Sequence, residues 1–117
     1  MSVKVYGIKN CNTMKKAFTF LEEKGVAYDF IDYKKQKPTE DLLEGFLEKV
    51  SLEQLVNKKG TTYRKMDDSQ KAALESQKSA LSILVENSSM IKRPVIVYGD
   101  GSITLGFDEE AIESHLS

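Results

Sequence analysis

The sequence predicts an α/β fold: a four-stranded mixed sheet made of a βαβ half and a ββα half, with a helical insert between them. Three observations carry this. Residues 3–33 read as two strands flanking a helix, helical apolar spacing then runs from Thr39 to Glu86, and a period of two returns after Asn87. At 117 residues the chain is read as one domain, residues 1–117, with the insert at 39–86 inside it.

Val3 and Val5 alternate with Ser2 and Lys4, which predicts a strand ending near Gly7. Met14, Ala17, Phe18 and Leu21 follow at i, i+3, i+4, i+7, so a helix comes next. Asn10, Asn12 or Thr13 is its candidate cap, and Lys24-Gly25 its stop. Ala27 to Tyr33, rich in aromatic and β-branched residues, is the second strand, and the βαβ crossover is expected to be right-handed. After the basic loop Lys34–Pro38, Thr39 caps a helix with Leu42, Leu43, Phe46, Leu47 and Val50 on one face. Ser51-Leu52-Glu53-Gln54 is a capping box that opens a short helix through Val56. Asn57–Thr62 breaks it, and two more helices are predicted, from about Asp68 to Glu75 and from Ser79 to Val85. Pro94–Tyr98 is a strand, Gly99-Asp100-Gly101-Ser102 carries the Asp-Gly hairpin signal, and Ile103–Leu105 returns antiparallel. Asp108 caps a last helix with Ala111, Ile112 and Leu116 inward. This order is the arrangement of the thioredoxin-like fold, which would set the end of the first strand beside the start of the third, at Pro94.

Composition narrows the function. With 17 basic and 18 acidic residues the net charge is −1, which gives no global attraction to nucleic acid or to an acidic membrane. No apolar run is long enough to span a bilayer, and the N-terminus lacks a signal-peptide pattern, so a cytoplasmic protein is expected. One cysteine makes no internal disulfide, and one cysteine with one histidine is too little for a metal site, so no metal is expected.

That cysteine, Cys11, stands where the first strand hands over to the first helix. A thiol there meets unpaired backbone N–H groups and the positive end of the helix dipole, both of which favour the thiolate. A free cysteine is commonly just a small buried hydrophobe. Here the polar neighbours Lys9, Asn10, Asn12, Thr13, Lys15 and Lys16 argue for the reactive reading. Lys15 and Lys16 read equally well as partners of a bound anion or as a solvated helix face. Arg64, in the loop Asn57–Arg64, reads from the residues alone as a surface arginine. Arg93 is held by Pro94 at the end of a strand expected to lie close to Cys11. Tyr63 and Phe107 are aromatic neighbours of these stretches that read more simply as core, and His115 is given no catalytic role.

Three stretches, Tyr6–Lys16, Leu55–Arg64 and Ile91–Pro94, together with the helices between them, resemble the arsenate-reductase-like family of thioredoxin-fold proteins. That family includes the Spx regulators, and the chain looks most like its YffB-type branch of thiol reductases. The resemblance covers essentially the whole chain. It implies a nucleophilic Cys11, a cis peptide before Pro94, and an oxyanion or glutathione site formed with Arg64 and Arg93. Asn10, Asn12, Thr13, Lys15 and Pro94 would line that site. The expected activity is a glutathione-dependent thiol oxidoreductase, with glutathione as co-substrate, a small oxidised or disulfide substrate, and a monomeric state. Two departures bear on the alternatives. The family's arsenate reductases use a third arginine after the hairpin, where this chain reads Leu105-Gly106-Phe107-Asp108. Spx-type regulators, which dock on RNA polymerase, often carry C-x-x-C, where this chain has Met14 three residues after Cys11. Arsenate reduction proper and an Spx-like regulatory role are therefore the alternatives to a monothiol reductase.

Overall fold

The computed structural model describes residues 3–116, which fall into two compact units. One comprises residues up to 36 together with those from 93 onward, and the other is the continuous segment 37–92.

The first unit holds the sheet. Strand β1 (Val3–Gly7) leads into helix α1 (Asn12–Glu23), and β2 (Tyr28–Asp32) follows. The chain returns through β3 (Val95–Val97) and β4 (Ile103–Leu105). The strand order is β2-β1-β3-β4. β1 pairs parallel with β2, Val5 opposite Phe30, and antiparallel with β3, Tyr6 opposite Val95; β3 and β4 form an antiparallel hairpin. This is the thioredoxin-like arrangement expected from the order of elements. The register brings the end of β1 beside Pro94, as expected.

The core of this unit gathers Val3, Val5, Met14, Phe20, Leu21, Ile96, Tyr98 and Ile112. On α1 the buried positions are Met14, Ala17, Phe20 and Leu21, so Phe20 turns fully inward and Phe18, expected there, is only half-buried. Gly7 is needed where it stands: a Cβ on it would lie 2.5 Å from the sulfur of Met14, which is fully buried. The absence of a side chain on the strand lets α1 pack directly against it. Gly101, at φ +88°, supplies the left-handed step of the hairpin turn.

The second unit is helical. α2 (Glu40–Leu47) is capped by Thr39, whose hydroxyl accepts the Leu42 N–H at 3.1 Å, and it buries Leu43 and Phe46. α3 (Leu52–Leu55) carries the predicted capping box, with Ser51 and Gln54 satisfying each other's backbone amides. The break after Val56 is shorter than predicted, because Gly60 caps a one-turn helix, α4 (Thr61–Arg64). α5 (Asp68–Ala73) starts from a second capping box, Asp67 with Gln70. α6 (Gln77–Glu86) buries Ala80, Leu81 and Leu84. A 3₁₀ turn (Ser88–Met90) then leads to Ile91, which bridges antiparallel to Val56. Asn57 N–H to Met90 O at 2.7 Å and Lys92 N–H to Leu55 O at 2.8 Å fix that bridge, which is why the unit runs on beyond Glu86 to Lys92. No helix among the described residues is long and apolar enough to cross a membrane.

Back in the first unit, α7 (Glu109–Leu116) is capped by Asp108, whose carboxylate accepts the Ala111 N–H at 3.2 Å, and Ile112 is buried.

Candidate functional site

None of Asn10, Asn12 or Thr13 caps α1. Cys11 itself is the N-cap, with extended backbone (φ −146°, ψ 129°) and a carbonyl that accepts the Lys15 N–H at 3.0 Å. The three polar residues were candidates because side-chain oxygens make good caps. An N-cap is defined by its backbone position, however, and the helix begins one residue after the thiol. The sulfur closes no strict capping hydrogen bond. It nevertheless faces the Met14 and Thr13 amides, the two donors that an oxygen cap would occupy.

Cys11 is partly buried against the core. Burial is the largest single influence on its pKa and raises it. The amides of Met14 and Thr13, a hydrogen bond from Arg93 and the charge of that guanidinium act the other way, and together they leave the thiol below its ordinary value. The thiolate is thus favoured by the fixed dipoles of a helix start and by a cation from across the sheet.

Arg93 reaches the site because β3 begins directly after it, beside the end of β1. Its peptide bond to Pro94 is cis, and Pro94 is fully buried. The Pro94 carbonyl accepts the Gly106 N–H at 2.9 Å, which sets the Leu105–Asp108 stretch alongside. At that flank, where arsenate reductases of the family are expected to carry a third arginine, Phe107 packs half-buried on the core. It meets Phe20 edge-on with ring centroids 6.0 Å apart. The aromatic at this position is therefore core-packed, in keeping with the plainer of its two readings.

Of the other residues singled out in the sequence, Thr13 is half-buried and Asn10, Asn12 and Lys15 are exposed around the thiol. Arg64 is exposed at the end of α4 and belongs to the helical unit. Tyr63, in the same unit, is half-buried with the Lys71 ammonium 5.1 Å from its ring centre. His115 lies away from the thiol's machinery: it stacks on Tyr98 at 4.8 Å and its Nδ1 is 2.8 Å from the Ser102 hydroxyl. Sequence reasoning missed the capping role of Cys11. The available signal was the start of the apolar helical period at Met14, which sets the helix start close behind the thiol.

Comparison with known proteins gives a consistent result. The ArsC family profile matches residues 6–115. An uncharacterised protein of Haemophilus influenzae is 37% identical over 112 residues, covering 96% of each chain. The solved structure of a YFFB protein is 41% identical with a TM-score of 0.91, covering 98% of this chain and 99% of that one. An arsenate reductase (ArsC) related protein from Brucella melitensis is 42% identical with a TM-score of 0.77, covering 100% and 96%. With a thioredoxin-like sheet, a lone cysteine at the start of its first helix and a family match over nearly its whole length, the chain belongs to the ArsC family.

Proposed function

We propose that this protein is a glutathione-dependent monothiol reductase. The observation that carries the reading is Cys11 at the N-cap of α1, hydrogen-bonded by Arg93 and held below its ordinary pKa. The thiolate attacks one sulfur of a disulfide substrate, the S–S bond breaks, and the other sulfur departs as a thiolate. Cys11 is left in a mixed disulfide. The chain has no second cysteine, so a glutathione thiolate from solution attacks that mixed disulfide and releases Cys11.

A thiol of ordinary pKa is only about 3% ionised at pH 7. Lowering the pKa raises the thiolate fraction but lowers intrinsic nucleophilicity, so the net gain in attack is about a few-fold. The larger benefit comes when Cys11 is the leaving group in the glutathione step, because a more stable thiolate leaves faster. Arg93 would hold the anionic end of glutathione or the departing sulfur. Asn10, Asn12, Thr13, Lys15 and Pro94 would shape the glutathione site. The apolar Phe107 flank, in place of a third guanidinium, disfavours a doubly charged oxyanion as substrate, since a desolvated anion needs matched charge.

The test is to incubate the protein with glutathione disulfide and weigh it intact. A single glutathione adduct on Cys11 that free glutathione removes is expected, and none on a Cys11→Ser variant. A Cys11 that stays unmodified under conditions that fully modify a small free thiol would overturn the reading.

A further inference from the structure

Cys11 follows the end of β1, which has a neighbouring strand on each side. Arg93 and Pro94 at the head of β3 lie on one side of β1, and β2 lies on the other. Along the β2 side runs a groove of about 520 Å³. This is within the range of small-molecule sites and large enough for a molecule of one or two rings.

The groove has an aromatic floor and a basic rim. Phe18 and Tyr28 stack with centroids 5.3 Å apart and planes 7° from parallel, and Phe30 meets Phe18 edge-on at 5.0 Å. Tyr28 is fixed from outside by its hydroxyl, which donates to Glu22 at 2.8 Å. Half-burial of all three rings leaves apolar faces available to a ligand. Lys9, Lys15 and Lys35 form the rim, against a single carboxylate, Asp32, whose oxygen accepts the Lys34 N–H at 3.0 Å. The ion pairs among the described residues, Lys24 with Glu113 and Lys37 with Glu86, do not involve these three lysines. A protein of net charge −1 thus gathers a local positive excess over an apolar slot.

The groove runs up to the residues that flank Cys11. Asn10, the residue before Cys11, lines it, and so does Lys15, whose amide is bonded to the Cys11 carbonyl. A ligand lying on the aromatic floor with its anion toward the lysines would reach the segment that carries the nucleophile.

We propose that the groove is the substrate half of the site and selects disulfides whose sulfur is carried on an apolar, preferably aromatic, carboxylate. This rests on the thiol-reductase reading and adds the substrate class to it. The aryl body covers the rings and the carboxylate faces the lysines. The Cys11 thiolate forms a bond to one disulfide sulfur as the S–S bond breaks, and the second aryl thiolate leaves carrying the electron pair. A glutathione thiolate, arriving on the Arg93 side, then bonds to the Cys11 sulfur as the aryl thiolate leaves, and a second glutathione thiolate attacks that adduct, releasing the Cys11 thiolate and glutathione disulfide.

The probe is 5,5′-dithiobis(2-nitrobenzoate), an aromatic dicarboxylate disulfide whose leaving thiolate is coloured, compared with uncharged 4,4′-dithiodipyridine and with iodoacetamide. Stopped-flow rates with the dicarboxylate are expected to saturate with concentration, which requires binding before reaction. Lys35→Gln should raise the half-saturating concentration about two- to fivefold, the effect of one exposed charge, and should leave the value for the dipyridine unmoved. Phe18→Ala should raise both, by about tenfold, because the floor serves both rings. Added salt should weaken the dicarboxylate selectively. A rate linear in dicarboxylate concentration, or half-saturation unchanged in both variants, would overturn the groove. Iodoacetamide, too small to use it, reports the thiolate separately. Saturation together with alkylation that titrates like free cysteine would support the groove while overturning the thiol-reductase reading.

Discussion

Arg93 acts on Cys11 both by hydrogen bond and by charge, and both favour the anion. Replacing it with glutamine removes the charge, and alanine removes both. The burial of Cys11, its largest single influence, remains and acts upward. The pH profile of alkylation should therefore move to higher pH in Arg93→Ala. Adduct formation with glutathione disulfide at neutral pH should fall about tenfold or more, the worth of a hydrogen bond to a charged group. The sign of the stability effect follows from the same direction. A native pKa below the unfolded one adds stability that is full above the unfolded value and is lost as pH falls through the native value. Wild type should thus gain stability relative to Cys11→Ser as pH rises through that window, and Arg93→Ala should gain less. An alkylation profile identical in wild type and Arg93→Ala would contradict the role given to Arg93. A second group of polar residues shows why residue types alone mislead. Asp100, Ser102 and His115 are the members of a catalytic triad, but here serine stands in the middle, 2.6 Å from Asp100 and 2.8 Å from His115. Ser102 donates to the carboxylate, so the order of a triad, in which histidine stands between the acid and the serine, is not reproduced. The group instead closes the hairpin turn and ties α7 to it.

The hairpin of β3 and β4 carries a test at the level of an element. Thr104 is the buried polar residue of the described chain, 8% exposed, and its hydroxyl pairs with that of Tyr98 at 2.7 Å. Thr104→Val leaves the Tyr98 hydroxyl buried without its partner, which should cost about 1–3 kcal/mol. Tyr98→Phe made together with Thr104→Val removes both halves of the pair, so the double variant should be more stable than Thr104→Val alone. Denaturant unfolding of Thr104→Val, Tyr98→Phe and the double variant measures this, and strictly additive losses would show that the two hydroxyls do not interact. The elements themselves were legible because each is announced by local chemistry. Thr39, Ser51 with Gln54, and Asp108 cap helices where expected, and Asp100-Gly101 turns the hairpin. What escaped was set by tertiary contact. Phe18 and Phe20 are equally apolar, and only packing against Ile112 and the sheet decides which turns inward. Likewise the one-turn helix α4 has no apolar period to betray it. At the site, Cys11 was legible from its position and Arg93 from its proline. The groove was not, since Phe18, Tyr28 and Phe30 come from two elements that only the fold brings together.

The sheet unit is discontinuous in sequence, joining residues up to 36 with those from 93 onward, and β1 is its hinge of order. β1 pairs on both sides, whereas β2 pairs with β1 alone among the described strands. Burial follows the same gradient: Val3, Val5, Tyr6 and Gly7 of β1 are buried, while no residue of β2 is fully buried. Every interior amide of a strand with two neighbours points at an acceptor, but along an edge strand only alternate amides do. Native-state hydrogen exchange should therefore show a different pattern on each strand. Val5 and Tyr6 should both be slow, exchanging only through opening of the sheet. Successive residues of β2 should alternate between slow and fast, the fast ones by about a hundredfold or more. The pairing of β1 with β3 spans most of the chain, so the slow amides of β1 report closure of the whole unit rather than of a local hairpin. If Val5 and Tyr6 exchanged as quickly as the outward amides of β2, the two ends of the chain would not be joined as described. Arg93 would then have no fixed place beside the thiol.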